Sequence, residues 1–348
     1  MSFRDLSGHR RLFGLLGRAI GSGTLPPSLI FAGPDGVGKR QAALAVAQGV
    51  NCLSPVDRGS DGQDACGTCA SCRKIERGLH PDVVTVRLEE GTQIKIDQIR
   101  EVVGQTAFRP FEGRSRVVII DEADLMGGDA QDALLKTLED PPARNVFVLV
   151  TSRPDTLAPT IRSRCCQLRF APLATGEIAA ALIGRHGFDE HDARATAALA
   201  GGSFTRALAG GGALADARDI ATSVIVSVST RADAAVRKAL ALALLDGATK
   251  KAKGKQREAK AGTPDRGVLA VRLRAMLSIL RDLSVLSTRA PEAALVNSDL
   301  RTELEPLAEA WDWDRLVRAF AAVGRALAAL ERHNASSKIV VDWLAFQL

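Results

Sequence analysis

Three cysteines recur at every third position in "ACGTCASC", Cys66, Cys69 and Cys72, and Cys52 precedes them with thirteen residues between. Thiolates arranged as C-x-x-C are the ligands of tetrahedral zinc, which takes four of them at ~2.3 Å. An iron–sulfur cluster also uses a C-x2-C-x2-C run, but such runs carry a further Cys and a Pro downstream that this loop lacks. Free or redox-active thiols are the remaining alternative. His80 is a weaker choice of fourth ligand, because "HPD" suits a turn entering a strand. Cys165 and Cys166, beside another strand, are expected to be buried thiols.

A second group of residues suggests phosphate chemistry. "FAGPDGVGKR" places Gly33, Gly36, Gly38 and Lys39 almost as the phosphate-binding loop G-x-x-x-x-G-K-[ST] requires. Glycines let successive N–H groups point at phosphate oxygens, a helix N-terminus adds its positive end, and the lysine meets the β and γ phosphates. The last position should carry a hydroxyl for magnesium. It carries Arg40, and a guanidinium has no acceptor with which to hold a cation. Further on, "VVIIDEAD" ends an apolar run with Asp121 and Glu122, the Walker B form that orients magnesium and the attacking water. Asp121 and Asp124 can alternatively cap the element that follows. "RSRC" presents Arg164, either as a surface charge or as an arginine finger reaching a neighbouring subunit's phosphate.

Elements must hold these residues in place. "SLIFAG", "DVVTVRL", "RVVIIDEAD", "NVFVLVTS" and "CCQLRF" read as strands. Between them, "RQAALAVAQGV" reads as an amphipathic helix, "IDQIREVVGQTAF" as another, and "GGDAQDALLKTLEDPP" as one stopped by prolines. Near-continuous apolar strands alternating with helices predict a parallel α/β sheet covered on both faces. After Pro172 the chain reads as helical with glycine breaks, then as Ala/Leu/Arg-rich helix to Leu348. Within it, "KKAKGKQREAKAG", Lys250 to Gly262, has no apolar period and reads as a solvated basic loop, with nonspecific DNA contact the lesser alternative.

Composition narrows the classes. The 348 residues imply two or three domains. The chain has no Tyr and few Phe or Trp, which argues against a stacking platform for single-stranded nucleic acid. Net charge is 46 − 40 = +6, compatible with a nucleic-acid partner without requiring one. No signal peptide or membrane span is evident, so the expected location is the cytoplasm, where thiols stay reduced.

Taken in order, "FAGPDGVGKR", the cysteine insertion, "HPD", "VVIIDEAD", "DALLKTLEDPP" and "IRSRC" resemble the AAA+ clamp-loader subunits of bacterial DNA polymerase III. The resemblance covers residues 1 to about 210; the remainder is similar in length and character only. It implies an AAA+ P-loop core over 1–171 with a four-cysteine zinc insertion at 52–72, a helical lid over 172–212 and a helical collar over 213–348. It implies that Ser152, or Thr151, is a sensor and Arg206 the lid arginine, with ATP or ADP in the site. It also implies gamma/tau and delta-type partners, with a sliding clamp and primed DNA met through their complex. The family contains a motor type and a stator-like delta-prime type, whose phosphate loop is defective and which lends an arginine finger, here Arg164. Arg40 favours the second. One rival is a gamma-like ATPase that tolerates Arg40. The other is a zinc-dependent nucleic-acid module, disfavoured because Arg58 is the sole basic residue between Cys52 and Cys72.

Overall fold

A computed structural model describes residues 2–89, 91–230, 242–245, 266–288, 295–332 and 335–348. The basic stretch Lys250–Gly262 lies outside them. The chain divides into two compact units, one of residues 1–177 and 203–205, the other of 178–202 and 206–348.

In the first unit, helix α1 (Arg10–Gly21) precedes strand β1 (Ser28–Ala32) and helix α2 (Lys39–Asn51). The cysteine insertion follows as a short hairpin, β2 (Val56–Asp57) and β3 (Gln63–Asp64), and helix α3 (Ala70–Glu76). Then come β4 (Val83–Val86), α4 (Ile96–Thr106), β5 (Arg116–Ile120), α5 (Gly128–Glu139), β6 (Asn145–Thr151), α6 (Pro159–Arg162) and β7 (Cys166–Arg169). The main sheet is parallel with strand order β4-β5-β6-β1-β7. This is the α/β AAA+ core implied by the resemblance.

Period-2 alternation sends neighbouring side chains to opposite faces. Leu29, Phe31, Val117, Ile119 and Val148 pack beneath α1 and α2 with Phe13, Leu16 and Val46. Ile30, Val118, Ile120, Phe147 and Leu149 pack against α4 and α5 with Ile99, Leu134 and Leu138. Both faces are therefore buried, which is why the strands read as unbroken apolar runs.

Two local readings need correction. Helix α2 is not a half-exposed amphipathic helix. Most of its residues are buried, because the sheet covers one side and the cysteine insertion another: Gln48 Nε2 donates to Cys72 O at 2.9 Å. Cys165 is buried as expected, but Cys166 is exposed. It starts β7, which pairs with β1 on one side only and so forms a sheet edge.

The second unit is helical. It contains most of α7 (Thr175–His186), then α8 (Glu190–Leu199), α9 (Phe204–Thr230, broken at Gly211), α10 (Arg266–Ser287), α11 (Arg301–Ala310), α12 (Trp313–Arg332) and α13 (Ser337–Gln347). Leu273, Met276, Ile279, Leu304, Val323, Val341 and Leu344 fill its aliphatic core. Arg218, fully buried, forms a two-pronged pair with Asp299 at 3.0 and 2.8 Å. Among the described residues no helix is long and apolar enough to cross a membrane.

Candidate nucleotide cleft and metal centre

Parallel strands converge their carboxyl ends on one edge of a sheet, where ligands of open α/β folds bind. Here that edge holds a cleft of about 1010 Å³. Its walls come from four strand ends: Gly36, Gly38, Lys39 and Arg40 after β1, Arg87 after β4, Asp121, Glu122 and Asp124 after β5, and Thr151, Ser152 and Arg153 at β6.

The glycine loop is built as the sequence predicts. Gly33 has φ 154°, and a Cβ there would fall 2.1 Å from Phe170 O, so no side chain fits. Gly38 caps α2 with φ 96° and faces open space, leaving the N-terminus of the helix accessible. Gly36, at φ 78°, also lines the cleft. Lys39 is almost wholly buried and folds back on its own loop, donating to Gly33 O at 2.6 Å and Pro34 O at 2.7 Å. Burial lowers its pKa, while Asp35, Asp124 and Asp121 pull the other way.

Arg40 turns to the acid at the end of β5. Its Nε lies 3.4 Å from Asp121 Oδ2, an ion pair without a hydrogen bond, and that Nε–H is buried with no acceptor. Burial pushes Asp121 above the usual carboxylate range, against the attraction of Arg87 and Lys39. A magnesium ion held between a loop hydroxyl and Asp121 does not fit this arrangement. The hydroxyl is absent, and a cationic side chain already pairs with the carboxylate.

Glu122 is exposed and takes a left-handed backbone conformation, φ 52°. Asp124 does not cap a helix. It accepts from Thr151 Oγ1 at 2.9 Å and from Arg153 Nε at 3.1 Å. Burial acts to raise its pKa, but these bonds win and lower it. Thr151 is thus tied to Asp124, while Ser152 lines the cleft. Sequence reasoning missed Arg87 and Arg153. Their position just after β4 and two residues beyond β6 was the available signal, since chain leaving a carboxyl strand end meets the ligand edge.

Two expected site residues lie apart. Arg164 follows α6 and is not among the residues lining the cleft of its own chain. Its guanidinium donates to Glu139 Oε1 at 2.6 Å and to Thr160 O at 3.0 Å. Arg206 belongs to the second unit, where it donates to Ala200 O at 3.4 Å.

The sulfurs of Cys52, Cys66, Cys69 and Cys72 all lie within 4.8 Å of one another. Cys72 Sγ and Cys52 Sγ are 3.7 Å apart, close to the ~3.8 Å edge of a tetrahedron with 2.3 Å metal–sulfur bonds. Backbone N–H groups point at the sulfurs: Cys66 N to Cys52 Sγ and Cys69 N to Cys66 Sγ, both 3.3 Å, and Cys72 N to Cys69 Sγ, 3.5 Å. These donors suit thiolates bound to a cation, so the set fits a four-coordinate metal ion. Although burial acts against it, N–H and hydroxyl donors from Thr68 and Cys69 lower the Cys66 thiol to about 6. His80 takes no part. Its Nδ1 accepts from Asp82 N at 3.2 Å in the turn before β4.

A glycine loop after β1, an acid pair after β5 and a cleft between them define a P-loop core of the AAA+ class. The family model described as DNA polymerase III, delta subunit, matches residues 8–174. Through that segment, just under half of its length, the chain is similar to the clamp-loader subunits of DNA polymerase III. It is 31% identical over 243 residues to DNA polymerase III subunit tau of Escherichia coli (strain K12), 68% of this chain and 35% of that protein. The delta' subunit of Pseudomonas aeruginosa is 38% identical over 136 residues, 39% of this chain and 40% of that one. The delta' subunit of Bacillus subtilis is 36% identical over 173 residues, half of each chain. The chain spans about a third to a half of the length of these curated relatives.

Proposed function

We propose that this chain is a stator-like, delta-prime-type subunit of the complex that opens a sliding clamp and places it on primed DNA, working beside gamma/tau and delta-type subunits. The observation that carries this reading is the Arg40–Asp121 ion pair, 3.4 Å, in the corner where a working motor would hold magnesium. Without that metal the cleft lacks its main means of neutralising charge as the γ-phosphoryl leaves. The retained Gly33, Gly36, Gly38, Lys39, Asp121 and Glu122 then serve as architecture and as a binding pocket, with Ser152 as sensor and Arg206 as lid arginine.

Arg164 supplies the function in trans. A planar, permanently charged guanidinium suits the developing charge on a neighbour's γ-phosphoryl oxygens. Its pairing with Glu139 is partly exposed and worth only about 0–1 kcal/mol, so it opens at little cost. The four cysteines hold a structural zinc ion, which fixes the insertion against α2 and supplies no chemistry to the cleft. A zinc module that grips DNA is disfavoured because Arg58 is already paired with Asp64 at 3.1 Å.

The test is reconstitution with a gamma-type subunit and the clamp. The isolated chain should show no appreciable ATP turnover. Arg164→Ala should fold and assemble, yet lower ATP turnover and clamp loading in the mixed complex, partially, because other sites keep their own fingers. Turnover by the isolated chain at a motor subunit's rate points instead to a gamma-like ATPase. Unchanged rates with Arg164→Ala return Arg164 to a surface ion pair.

A further inference from the structure

The cleft retains every phosphate-facing feature except the metal corner, and that corner is not empty. Arg40 brings a permanent positive charge to the carboxylate that would otherwise repel a polyphosphate. Its buried Nε–H makes no hydrogen bond, so a donor stands unmet beside the cleft. Lys39 is preformed over the loop, held by Gly33 O and Pro34 O and by the exposed Asp35 carboxylate at 3.7 Å, partners that a phosphate oxygen can replace. Gly38 leaves the N-terminus of α2 facing open space, and Arg87 adds a further cation to the cleft lining, close enough to act on Asp121.

We infer that the cleft binds the polyphosphate of a nucleoside di- or triphosphate without a divalent cation, Arg40 taking the cation's place. The physical reason is charge balance. In a metal-dependent site, a divalent ion bridges the phosphate oxygens and the acid after β5. Here the guanidinium can pair with Asp121 on one side and offer N–H donors to a phosphate on the other, since its five donors form a planar fork. A hydrated metal ion in that corner would compete with the guanidinium for the same space and the same carboxylate. Binding is therefore indifferent to magnesium, or weakened by it, and no bond to the γ-phosphoryl is broken. This deepens the proposed reading of the cleft as a non-hydrolysing one and rests on it.

The experiment is calorimetric titration of the isolated full chain with ADP, and with ATP, in excess EDTA and again in excess magnesium. In EDTA no magnesium-dependent turnover occurs, so the result is independent of the reconstitution assay and of Arg164. The wild-type chain should bind in EDTA, and magnesium should not tighten the complex. Arg40→Ala should weaken binding in both buffers by about tenfold, the scale of one lost charge-assisted hydrogen bond. Arg40→Thr should lose affinity in EDTA and regain it when magnesium is added. Lys39→Met should weaken binding in both, which locates the nucleotide in this cleft. Three results overturn the inference: no wild-type binding at millimolar nucleotide, tenfold tightening of the wild-type complex by magnesium, or full affinity in Arg40→Ala.

Discussion

Helix α2 joins the two edges of the main sheet, and its ends sit in opposite surroundings. Its N-terminus, at Gly38 and Lys39, meets the carboxyl ends of the strands. Its C-terminus, at Asn51 and Cys52, meets the amino ends about 20 Å away. At the carboxyl edge, charges compensate one another across an open cleft: Lys39 lies on loop carbonyls, Arg40 on Asp121 and Arg153 on Asp124. At the amino edge, the buried carboxylates and the Asn51 amide are matched, although Ser28 Oγ, Arg116 Nε and Asn145 Oδ1 have no partner. Asp82, fully buried, accepts from the backbone N–H groups of Phe111, Glu112 and Gly113 and pairs with Arg116 at 3.3 Å. Asn51 exchanges two hydrogen bonds with the Ser115 backbone, at 2.9 and 3.0 Å. Asp64, in the cysteine insertion, accepts from Phe3 N and Arg4 N. A buried charge without partners costs most, so the edge that holds the fold together pairs its buried carboxylates fully. The carboxyl edge, where ligands of open α/β folds bind, keeps one unmet donor, Arg40 Nε, beside its cleft.

The largest expected effect breaks the amino edge. Cys72→Ser removes a buried ligand from the cysteine set. Structural zinc sites contribute folding energy directly, so a loss on the order of 4 kcal/mol is expected. Metal analysis should fall from one ion per chain to none, and chelator should lower the wild-type melting temperature while leaving the variant's unchanged. An equal metal content in the variant would remove the knuckle from the comparison.

Next comes Asp82→Ala, which strands Arg116 and three N–H groups and should cost about 3–5 kcal/mol in denaturant unfolding. The same carboxyl gives a pH signature. Burial raises its pKa, but the three N–H donors and Arg116 outweigh burial and hold it below its ordinary value of about 4. A depressed folded-state pKa contributes stability that is complete above the unfolded value and disappears as pH falls through the folded one. Wild-type stability should therefore decline below about pH 4 more steeply than that of Asp82→Ala, as read from melts across that window. Parallel declines would mean that the carboxyl is not held down.

The smallest effect on stability lies at the other edge. Arg40→Thr removes a partly exposed ion pair and should change stability by less than about 1 kcal/mol. If it cost as much as Asp82→Ala, the carboxyl edge would be as tightly built as the amino edge, and the contrast between them would fail.

The glycine loop was legible because its residues are consecutive, and backbone conformation at Gly33 and Gly38 is a local requirement. The cysteine set was nearly as legible, since three ligands share one short loop and coordination spacing is itself a sequence pattern. The strands were legible from their apolar runs. The buried state of α2 was not, because Gln48 and Asn51 look solvent-facing until the insertion and the 109–115 loop fold over them. Asp82 and Arg116 carried no signal: thirty-four positions separate two ordinary charged residues, and only the pairing of β4 with β5 brings them together.

The sequence by itself determined that a P-loop α/β core with a cysteine knuckle is present, and that a hydroxyl is missing from its metal corner. These are statements about residues near one another in the chain. Only the tertiary structure decided what Arg40 does instead. The strand before its loop and the strand before Asp121 are separated in the sheet by β6, and the order of strands is a long-range choice. Their carboxyl ends converge because the strands are parallel, and that convergence puts a guanidinium within 3.4 Å of the acid.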